Sequence, residues 1–313
     1  MTKRTTILFM CVMSLVSLVG CSKRIQSSST SSPSSELTSQ KLEIEKADLQ
    51  PLTGNSIPNA NELIEAYNNR NYGSPGWRQV LMELVTDNRV TSNFLVVNLW
   101  QNFGNEKRML FLLQEPDGLK GASYLLNENT QSSNEMQVHL FLPAGERKVL
   151  EVARGSFDEG LLGSDFTYND MRMLMPLKNW TYRVTGKTRL VDVPAWVLDA
   201  VPSNTSNEGN EWSKIRLYLA SDFQLLLGAD FFANDEGTTG EVHLRKQMRV
   251  QEFKQDNGVW SATKMVMARS PQRFTLLTLK DARFSSASID PKLFSPDRLP
   301  FIAEKIRAGW SPE

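Results

Sequence analysis

The stretch LLGSDFTYND, residues 161–170, places two aspartates close to a serine, a threonine and a tyrosine. Such a set of side chains has two interpretations. It is either a catalytic group with paired carboxylates or the start of a helix where the chain leaves a β-sheet. The kind of chain that surrounds the stretch decides between these interpretations, and with them the class of fold.

The spacing within the stretch favours a helix start. Gly163 permits a tight backbone turn. Thr167 and Asp170 have the T-x-x-D spacing of a capping box. In an alternative register, Ser164 or Asp165 caps the helix. Either register places aspartates at the positive end of a helix that runs through MRMLM, residues 171–175.

Two aromatic residues, Phe166 and Tyr168, are expected to pin this helix to the sheet. The catalytic interpretation instead uses Asp165 and Asp170 as a carboxylate pair whose pKa values differ because their environments differ. No histidine lies near them in sequence, and the chain has no G-x-S-x-G elbow and no metal-binding motif. We therefore expect no catalytic residue, no metal and no cofactor, and a carboxylate-dependent hydrolase is the weaker alternative.

The N-terminus has the pattern of an export signal. Lys3 and Arg4 precede an apolar run, residues 7–19. Its length is typical of a signal-peptide core and is too short for a membrane-spanning helix. The run LVGC, residues 18–21, resembles the bacterial lipobox. This resemblance implies cleavage before Cys21 and its acylation, with palmitate among the acyl chains, whereas the alternative is an ordinary signal peptide with an incidental cysteine.

Acylation of this kind predicts a stable membrane anchor, since each buried CH₂ contributes about 0.8 kcal/mol. Ser22 follows the cysteine, and in the enterobacterial sorting pattern it makes the outer membrane the expected destination.

The Ser-rich run IQSSSTSSPSS, residues 25–35, cannot bury enough apolar area to fold. We predict a signal peptide at 1–20, an acylated cysteine with a flexible tether at 21–58, and a folded domain at 59–313.

The composition excludes several classes of function. Cys11 lies in the peptide that is expected to be removed and Cys21 carries the lipid, so the domain has no thiol for a disulfide, a metal or a nucleophile. Its two histidines are His139 and His243. Lysine plus arginine and aspartate plus glutamate balance at 35 each, and no basic stripe stands out. Nucleic acid is therefore not an expected partner.

The predicted domain is mainly β with a few helices. A helix is predicted over Asn59–Arg70, with Asn61 as its cap and Leu63, Ile64 and Tyr67 on one face. Strand-like runs separated by turn signals follow, which favours an antiparallel meander or barrel over a parallel sheet. These runs are 78–86, 92–102, 107–114, 121–127, 136–143, 146–153, 180–190, 195–202, 213–221, 223–233, 241–254, 258–270 and 272–285.

Some of the runs alternate between apolar and polar residues, which is typical of a sheet with one wet face. In one of them, Met136, Val138, Leu140 and Leu142 share a face. Another run places four apolar residues on one face, namely Val242, Leu244, Met248 and Val250.

Four blocks of the sequence, in this order along the chain, are EPDGLKGASYLL (115–126), VHLFLPAGERKVLEV (138–152), GLLGSDFTYNDM (160–171) and FSSASIDPKLFSPDRL (284–299). Together they resemble the outer-membrane lipoprotein-sorting protein family, which has the LolA/LolB-like fold. The resemblance covers about residues 77–300. It implies an open, incomplete antiparallel β-barrel of about eleven strands. Helices plug the concave side of that barrel, and an apolar cavity holds acyl chains.

The resemblance and the alternation together predict which residues line the cavity, although each is equally typical of an ordinary core position. These candidates are Trp100, Phe111, Leu113, Leu140, Leu217, Leu219, Met265 and Met267. Phe103 lies at a predicted hairpin tip and is the candidate for the exposed apolar loop residue that the family's receptor uses. The family also implies an exporter of the RND/MMPL type as a partner.

We therefore expect a lipid-anchored outer-membrane protein that faces the periplasm. It is expected to bind the acyl chains of lipids or lipoproteins, for lipoprotein sorting or lipid transport in the envelope. The alternative is a structural envelope protein whose cavity is filled by its own side chains.

Overall fold

The structure is a computed structural model, and it describes residues 42, 44, 46–52, 57–129, 136–144, 147–176, 178–203, 212–234, 242–285 and 289–311. The predicted signal peptide and Cys21 lie outside the described residues. Part of the predicted tether is described, and Gln50 forms an isolated bridge with Lys187. This part of the tether therefore lies against the domain.

The described chain has two α-helices and thirteen strands. The helices are α1 (Ala60–Asn68) and α2 (Leu299–Arg307). The strands are β1 (Gly76–Thr86), β2 (Arg89–Phe103), β3 (Glu106–Glu115), β4 (Ser123–Asn129), β5 (Met136–Phe141), β6 (Val149–Glu151), β7 (Trp180–Leu190), β8 (Val193–Pro202), β9 (Lys214–Ala220), β10 (Leu226–Asn234), β11 (Val242–Asp256), β12 (Val259–Ser270) and β13 (Arg273–Arg283). Neither described helix is long and apolar enough to cross a membrane.

All thirteen strands form one antiparallel sheet in the order β6-β5-β4-β3-β2-β1-β13-β12-β11-β10-β9-β8-β7. Two meanders, β1–β6 and β7–β13, are joined where β1 pairs with β13. The sheet is not closed, and β6 and β7 are its two edge strands. The predicted fold class, mainly β with an open antiparallel barrel, is confirmed. It has thirteen strands where the family resemblance implies about eleven.

Tight turns set the register of the hairpins. Asp87 and Asn88, between β1 and β2, both have positive φ, at 50° and 61°. Asn257 and Gly258, between β11 and β12, have φ of 48° and 78°. A two-residue turn with both φ values positive matches the twist of the flanking strands, and Asn and Gly adopt this conformation at low cost.

Two hydrophobic clusters cover one face of the sheet, which we call the inner face. The first inner cluster draws on β1–β5 and the second on β7–β12. Helix α1 packs onto the second cluster through Ile64, flanked by Leu63 and Tyr67, as its periodicity predicts. Its N-cap is Asn59, whose side chain accepts from the backbone N–H of Asn61. The prediction that Asn61 is the cap is wrong, because Asn61 donates to that cap.

The opposite face of the sheet, the outer face, is covered by α2. Leu299, Ile302 and Ile306 pack with sheet residues such as Val97 and Leu112, which alternate with the inner residues of the same strands. The expectation that helices plug the concave side is therefore correct for α1 and wrong for α2. The wide apolar stripe on the outer face of β1–β5 is what α2 buries.

Residues 152–179 connect the two edge strands, and we call them the crossover segment. The helix predicted through MRMLM is absent: a three-residue 3₁₀ turn, Asn169–Met171, ends at Arg172 in extended conformation. Tertiary partners replace the helical bonds. The backbone N–H of Met173 donates to a Glu128 carboxylate oxygen at 2.7 Å, and that of Met175 donates to Asn68 Oδ1 at 2.8 Å.

Helix α2 offers a direct test of outer-face packing. Ile302 is fully buried, whereas the neighbouring Phe301 is 46% exposed. We expect Ile302→Ala to lower the free energy of unfolding by about 2–5 kcal/mol, because it removes buried methylenes and leaves a cavity. Phe301→Ala is the control and should cost less than about 1 kcal/mol. Chemical denaturation measures both, and equal losses would contradict this account of α2.

Candidate functional site

A cavity of about 340 Å³ lies between the inner face, the crossover segment and the end of α1. Its size falls within the range of small-molecule pockets, about 300–1,000 Å³. The wall is mainly apolar and aromatic, with a few charged side chains. Among the residues that form it are Val80, Met82, Val96, Trp100, Met109, Phe111, Phe166, Met171, Met173, Met248, Val250, Trp260, Met265, Leu277 and Phe284.

The eight predicted lining residues all belong to the inner face. Trp100, Phe111 and Met265 line the cavity itself. The other five lie in the packed clusters beside it. Leu113 and Leu140 are in the first inner cluster, and Leu217, Leu219 and Met267 are in the second. The alternation thus identifies the correct face, but it does not separate cavity wall from core.

Trp100 is held flat against the backbone of β1. Its ring lies so close to Gly76 that a Cβ there would come within 2.1 Å of it, and its indole N–H donates to the carbonyl of Tyr72 at 3.1 Å. Phe284 packs at 6.0 Å between ring centroids. Gly76 therefore allows a large aromatic ring to form part of the cavity wall.

The opening stretch, LLGSDFTYND, lies in the crossover segment. Gly163 has φ +76°, so the predicted tight turn is present. The predicted capping box also forms: an Asp170 carboxylate oxygen accepts from the backbone N–H of Thr167 at 2.8 Å and from its hydroxyl at 2.9 Å. The Thr167 hydroxyl accepts from the backbone N–H of Asp170 at 3.3 Å. The motif closes a 3₁₀ turn and starts no α-helix.

A buried lysine completes this arrangement. Lys246 Nζ on β11 donates to the same Asp170 oxygen at 2.7 Å, and the lysine side chain is fully buried. The ammonium also lies 4.5 Å from the ring centre of Phe231 and 5.1 Å from that of Trp212. Asp170 therefore ties the crossover segment to the sheet at the rim of the cavity.

Asp165 has a different set of partners. One of its oxygens accepts from the Thr275 hydroxyl at 3.0 Å, and its backbone N–H donates to that same hydroxyl oxygen at 2.9 Å. Arg269 and Arg273 lie 3.5 and 3.3 Å from its other oxygen. Ser164 forms a local turn, in which its hydroxyl accepts from the backbone N–H of Phe166 at 3.2 Å. The alternative helix cap at either residue is therefore wrong, because these groups bind β13 and the turn.

Phe166 and Tyr168 anchor the segment to both halves of the inner face. Phe166 belongs to the second inner cluster and Tyr168 to the first. They pin an irregular segment in place of the predicted helix. A third carboxylate, that of Glu128, binds Arg172 at 3.0 Å. Burial raises the pKa of Glu128, while Arg172 opposes that rise.

A row of polar groups crosses the apolar wall at β1 and β2. Arg78 is paired with Asn98 in the sheet register, and its Nε donates to Asn98 Oδ1 at 2.9 Å. The guanidinium carbon lies 5.4 Å from the ring centre of Trp100. Burial lowers the pKa of Arg78 to about 10, and repulsion from Arg70 adds to the effect. The group is thus a cation in an environment that disfavours charge.

Phe103 does not occupy the exposed position that its predicted hairpin tip suggests. It ends β2, its ring lies 5.5 Å from that of Phe294 in a T-shaped contact, and Arg108 lies 4.6 Å from its ring centre. It packs at the margin of the outer-face cluster. The turn itself is formed by residues 104 and 105. The candidate exposed loop residue is therefore a packing residue.

The prediction from sequence missed Arg78, Asn98 and Lys246. A signal for each is present in the sequence, because each occupies an inward position next to apolar inward residues of the same strand. Lys246 fills the gap between Leu244 and Met248 in the alternation of β11. In the described part of the chain, no group of His, Cys, Asp and Glu side chains is arranged to hold a metal ion.

Together these elements define an open antiparallel barrel with an apolar inner cavity, covered by one helix and a crossover segment. A family model with the description "Uncharacterized protein" matches residues 105–300, more than half of the chain. The chain belongs to the family that this model describes. No curated protein is similar enough in sequence to count as a relative.

Solved structures share the fold. A DUF1329 family protein from Desulfovibrio piger is 17% identical with a TM-score of 0.67, over 77% of this chain and 97% of that one. A domain from Vibrio parahaemolyticus, described as an outer membrane lipoprotein-sorting protein domain, is 18% identical with a TM-score of 0.66, over 77% and 100%. A LolA superfamily protein from Nitrosomonas europaea is 14% identical with a TM-score of 0.54, over 77% and 99%. At these identities the similarity establishes the fold.

The ion pair between Asp170 and Lys246 makes a strong prediction for stability. Asp170→Asn should lower the free energy of unfolding by about 3–5 kcal/mol, because it leaves a buried ammonium without its carboxylate. Adding Lys246→Met should recover part of the loss, since the uncompensated charge is gone. Glu252→Gln, in an exposed pair with Lys264 at 4.0 Å, is the matched control and should cost less than about 1 kcal/mol. A double variant no more stable than Asp170→Asn would contradict this reading.

Lys107 predicts a dependence of stability on pH. Its ammonium donates to the carbonyl of Asn68 at 3.0 Å, and burial, with repulsion from Arg70, lowers its pKa from 10.5 to about 8. Between these values the folded chain binds fewer protons than the unfolded chain, so the free energy of unfolding should rise with pH. The slope is at most about 1.4 kcal/mol per pH unit. Lys107→Met should remove this rise.

Denaturation between about pH 8 and pH 10 measures this effect, because these limits lie within the window set by the shifted pKa. Lys280→Met, at an exposed lysine on β13, serves as the control and should keep the wild-type profile. Parallel profiles for the wild type and Lys107→Met would show that the Lys107 pKa is not lowered by folding.

Proposed function

We propose that this protein binds the acyl chains of lipids or lipoproteins in its inner cavity. One observation carries the proposal: about 340 Å³ of space, walled mainly by apolar side chains, remains open inside the sheet. Apolar ligand surface placed there leaves water, with a gain of about 25 cal/mol per Å². A purely structural protein would fill this space with its own side chains, as the two clusters beside it do.

The wall chemistry fits flexible chains better than a single rigid ligand. Met109, Met171, Met173, Met248 and Met265 all line the cavity. Methionine is unbranched and polarisable, so it adapts to ligands of different shape. Trp100 and Phe284 supply rigid aromatic surface beside it. The same fold occurs in a lipoprotein-sorting domain and in a LolA superfamily protein, which supports a lipid ligand.

We place the protein in the bacterial envelope, anchored at the outer membrane by acylated Cys21 and facing the periplasm. The lipobox pattern at residues 18–21 and the Ser-rich run that follows support this location. An RND/MMPL-type exporter is the proposed partner for envelope lipid transport.

The proposal assigns no catalytic step to the chain. Asp165 and Asp170 were the candidates for a carboxylate pair, but each binds its own cations. Arg269 and Arg273 neutralise Asp165, and Lys246 neutralises Asp170. Both carboxylates are thus engaged in ion pairs that hold the crossover segment on the sheet. This arrangement supports binding rather than hydrolysis.

Cavity filling tests the proposal. Purified, delipidated full-length protein should take up the fluorescent fatty acid cis-parinaric acid. Met265→Trp should weaken uptake about tenfold or more, because the added ring occupies space that the acyl chain needs. Val201→Trp, at an exposed position of β8, adds the same ring outside the cavity and should leave uptake unchanged.

Fluorescence titration gives the dissociation constants, and circular dichroism checks that each variant is folded. The wild-type protein and both variants carry the same N-terminus. Binding of the probe to that segment therefore cannot cause a difference in uptake between them. Failure of the folded wild-type protein to take up any probe would overturn the proposed function.

A further inference from the structure

The charges around the cavity do not balance. Four of the described lining residues carry positive charge, namely Arg70, Arg78, Arg172 and Lys264, whereas Asp170 is the only acidic one. Asp170 is already bound to Lys246. A largely apolar cavity with an excess of cations selects for a ligand that carries the opposite charge.

Two of the four cations have acidic partners. Arg172 binds the buried Glu128 at 3.0 Å, and Lys264 lies 4.0 Å from Glu252. The positive charge of these two residues is therefore at least partly balanced within the protein.

The other two cations, Arg70 and Arg78, have no acidic partner among the described residues. Arg70 donates to the backbone carbonyls of Tyr67 at 2.7 Å and Met173 at 3.4 Å. Arg78 uses Nε for Asn98, and its two terminal nitrogens have no hydrogen-bond partner in the described part of the chain. The two groups are close enough for Arg70 to lower the pKa of Arg78 by repulsion. Both groups line the cavity, so an anion bound at Arg78 would be attracted by both.

Arg78 also stands next to the apolar wall. In the sheet register it is paired with Asn98, which is paired with Phe111, so the three form one row across β1, β2 and β3. The next row holds Gly76 and Trp100. A ligand whose charged end reached Arg78 would thus lay its chain directly on the aromatic surface.

We propose that the ligand is a long-chain amphiphile with an anionic end group, a carboxylate or a phosphate, and that this end binds Arg78 with Arg70 beside it. The inference rests on the proposed function and specifies its ligand class. An anion supplies the counter-charge that the cavity lacks. The planar guanidinium offers parallel N–H donors that match a carboxylate or a phosphate.

Amphiphiles that share one tail and differ in the end group test the proposal. Oleate, oleyl alcohol and oleoyl lysophosphatidate are titrated against the delipidated full-length wild-type protein by displacement of a neutral fluorescent lipid. Oleate and lysophosphatidate should bind about tenfold tighter or more than oleyl alcohol, the gain expected from a charge-assisted hydrogen bond.

Arg78→Gln should remove this preference by weakening oleate and lysophosphatidate much more than oleyl alcohol, whereas Arg78→Lys should keep part of it. Lys280→Gln, at an exposed lysine of β13 that does not line the cavity, is the matched control and should keep the full preference.

The outcomes separate the two proposals. If no amphiphile binds the folded wild-type protein, the proposed function fails. If all bind equally, or if Arg78→Gln weakens oleate and oleyl alcohol by the same factor, the cavity binds lipid but the anionic class is wrong. Displacement of oleate by inorganic phosphate at equal concentration would also overturn the inference, because it would reveal a site for free anions.

Discussion

A single carboxylate oxygen of Asp170 holds the crossover segment in place. It accepts from the backbone N–H and the hydroxyl of Thr167, which close the 3₁₀ turn, and from Lys246 on β11. Because Lys246 is fully buried, the carboxylate cannot move away without leaving an uncompensated charge in the interior. The rest of the segment follows from this point, since its neighbours Phe166 and Tyr168 then enter the two inner clusters. The ion pair between Asp170 and Lys246 therefore holds the crossover segment over the cavity, and apolar packing holds the cavity wall.

Local sequence patterns were sufficient to predict the individual strands. The thirteen strand-like runs correspond one to one with the thirteen strands. Alternation with a period of two and turn residues such as Asn257-Gly258 are local signals, which depend only on residues close in sequence. The count of about eleven came from the family resemblance and is too low. The apolar face of α1 was also predicted from the sequence, since Ile64 and its neighbours follow the helical period. The predicted N-cap of α1, Asn61, lies two residues after the observed N-cap, Asn59, because asparagine is a favourable N-cap residue at either position.

Interactions between residues far apart in sequence could not be predicted from local sequence patterns. A helix through MRMLM has the right local pattern, but Glu128 and Asn68 take the backbone N–H groups of Met173 and Met175, and these partners lie 45 and 107 residues away. Asp165 has the same property, because its hydroxyl partner Thr275 is 110 residues away. The sequence did contain one signal of the site, namely charged residues at strand positions where the alternation predicts apolar ones. A charged residue at an inward strand position, as at 78 and 246, marks either a buried pair or an empty cavity.

The position of α2 explains why the cavity exists. A helix expected on the concave side would compete for the space under the crossover segment, but α2 buries its apolar stripe on the outer face through Leu299, Ile302 and Ile306. Among the described residues, α1 and the crossover segment cover the inner face of the sheet, and α1 packs on the second inner cluster. The central strands β1, β2, β3, β11, β12 and β13 form the wall of the cavity beside the end of α1. Arg78 stands in that wall without an acidic partner in the described chain, so an anion from a ligand would balance its charge. An apolar chain that excludes the solvent from this wall would place the ligand's own end group next to the cation.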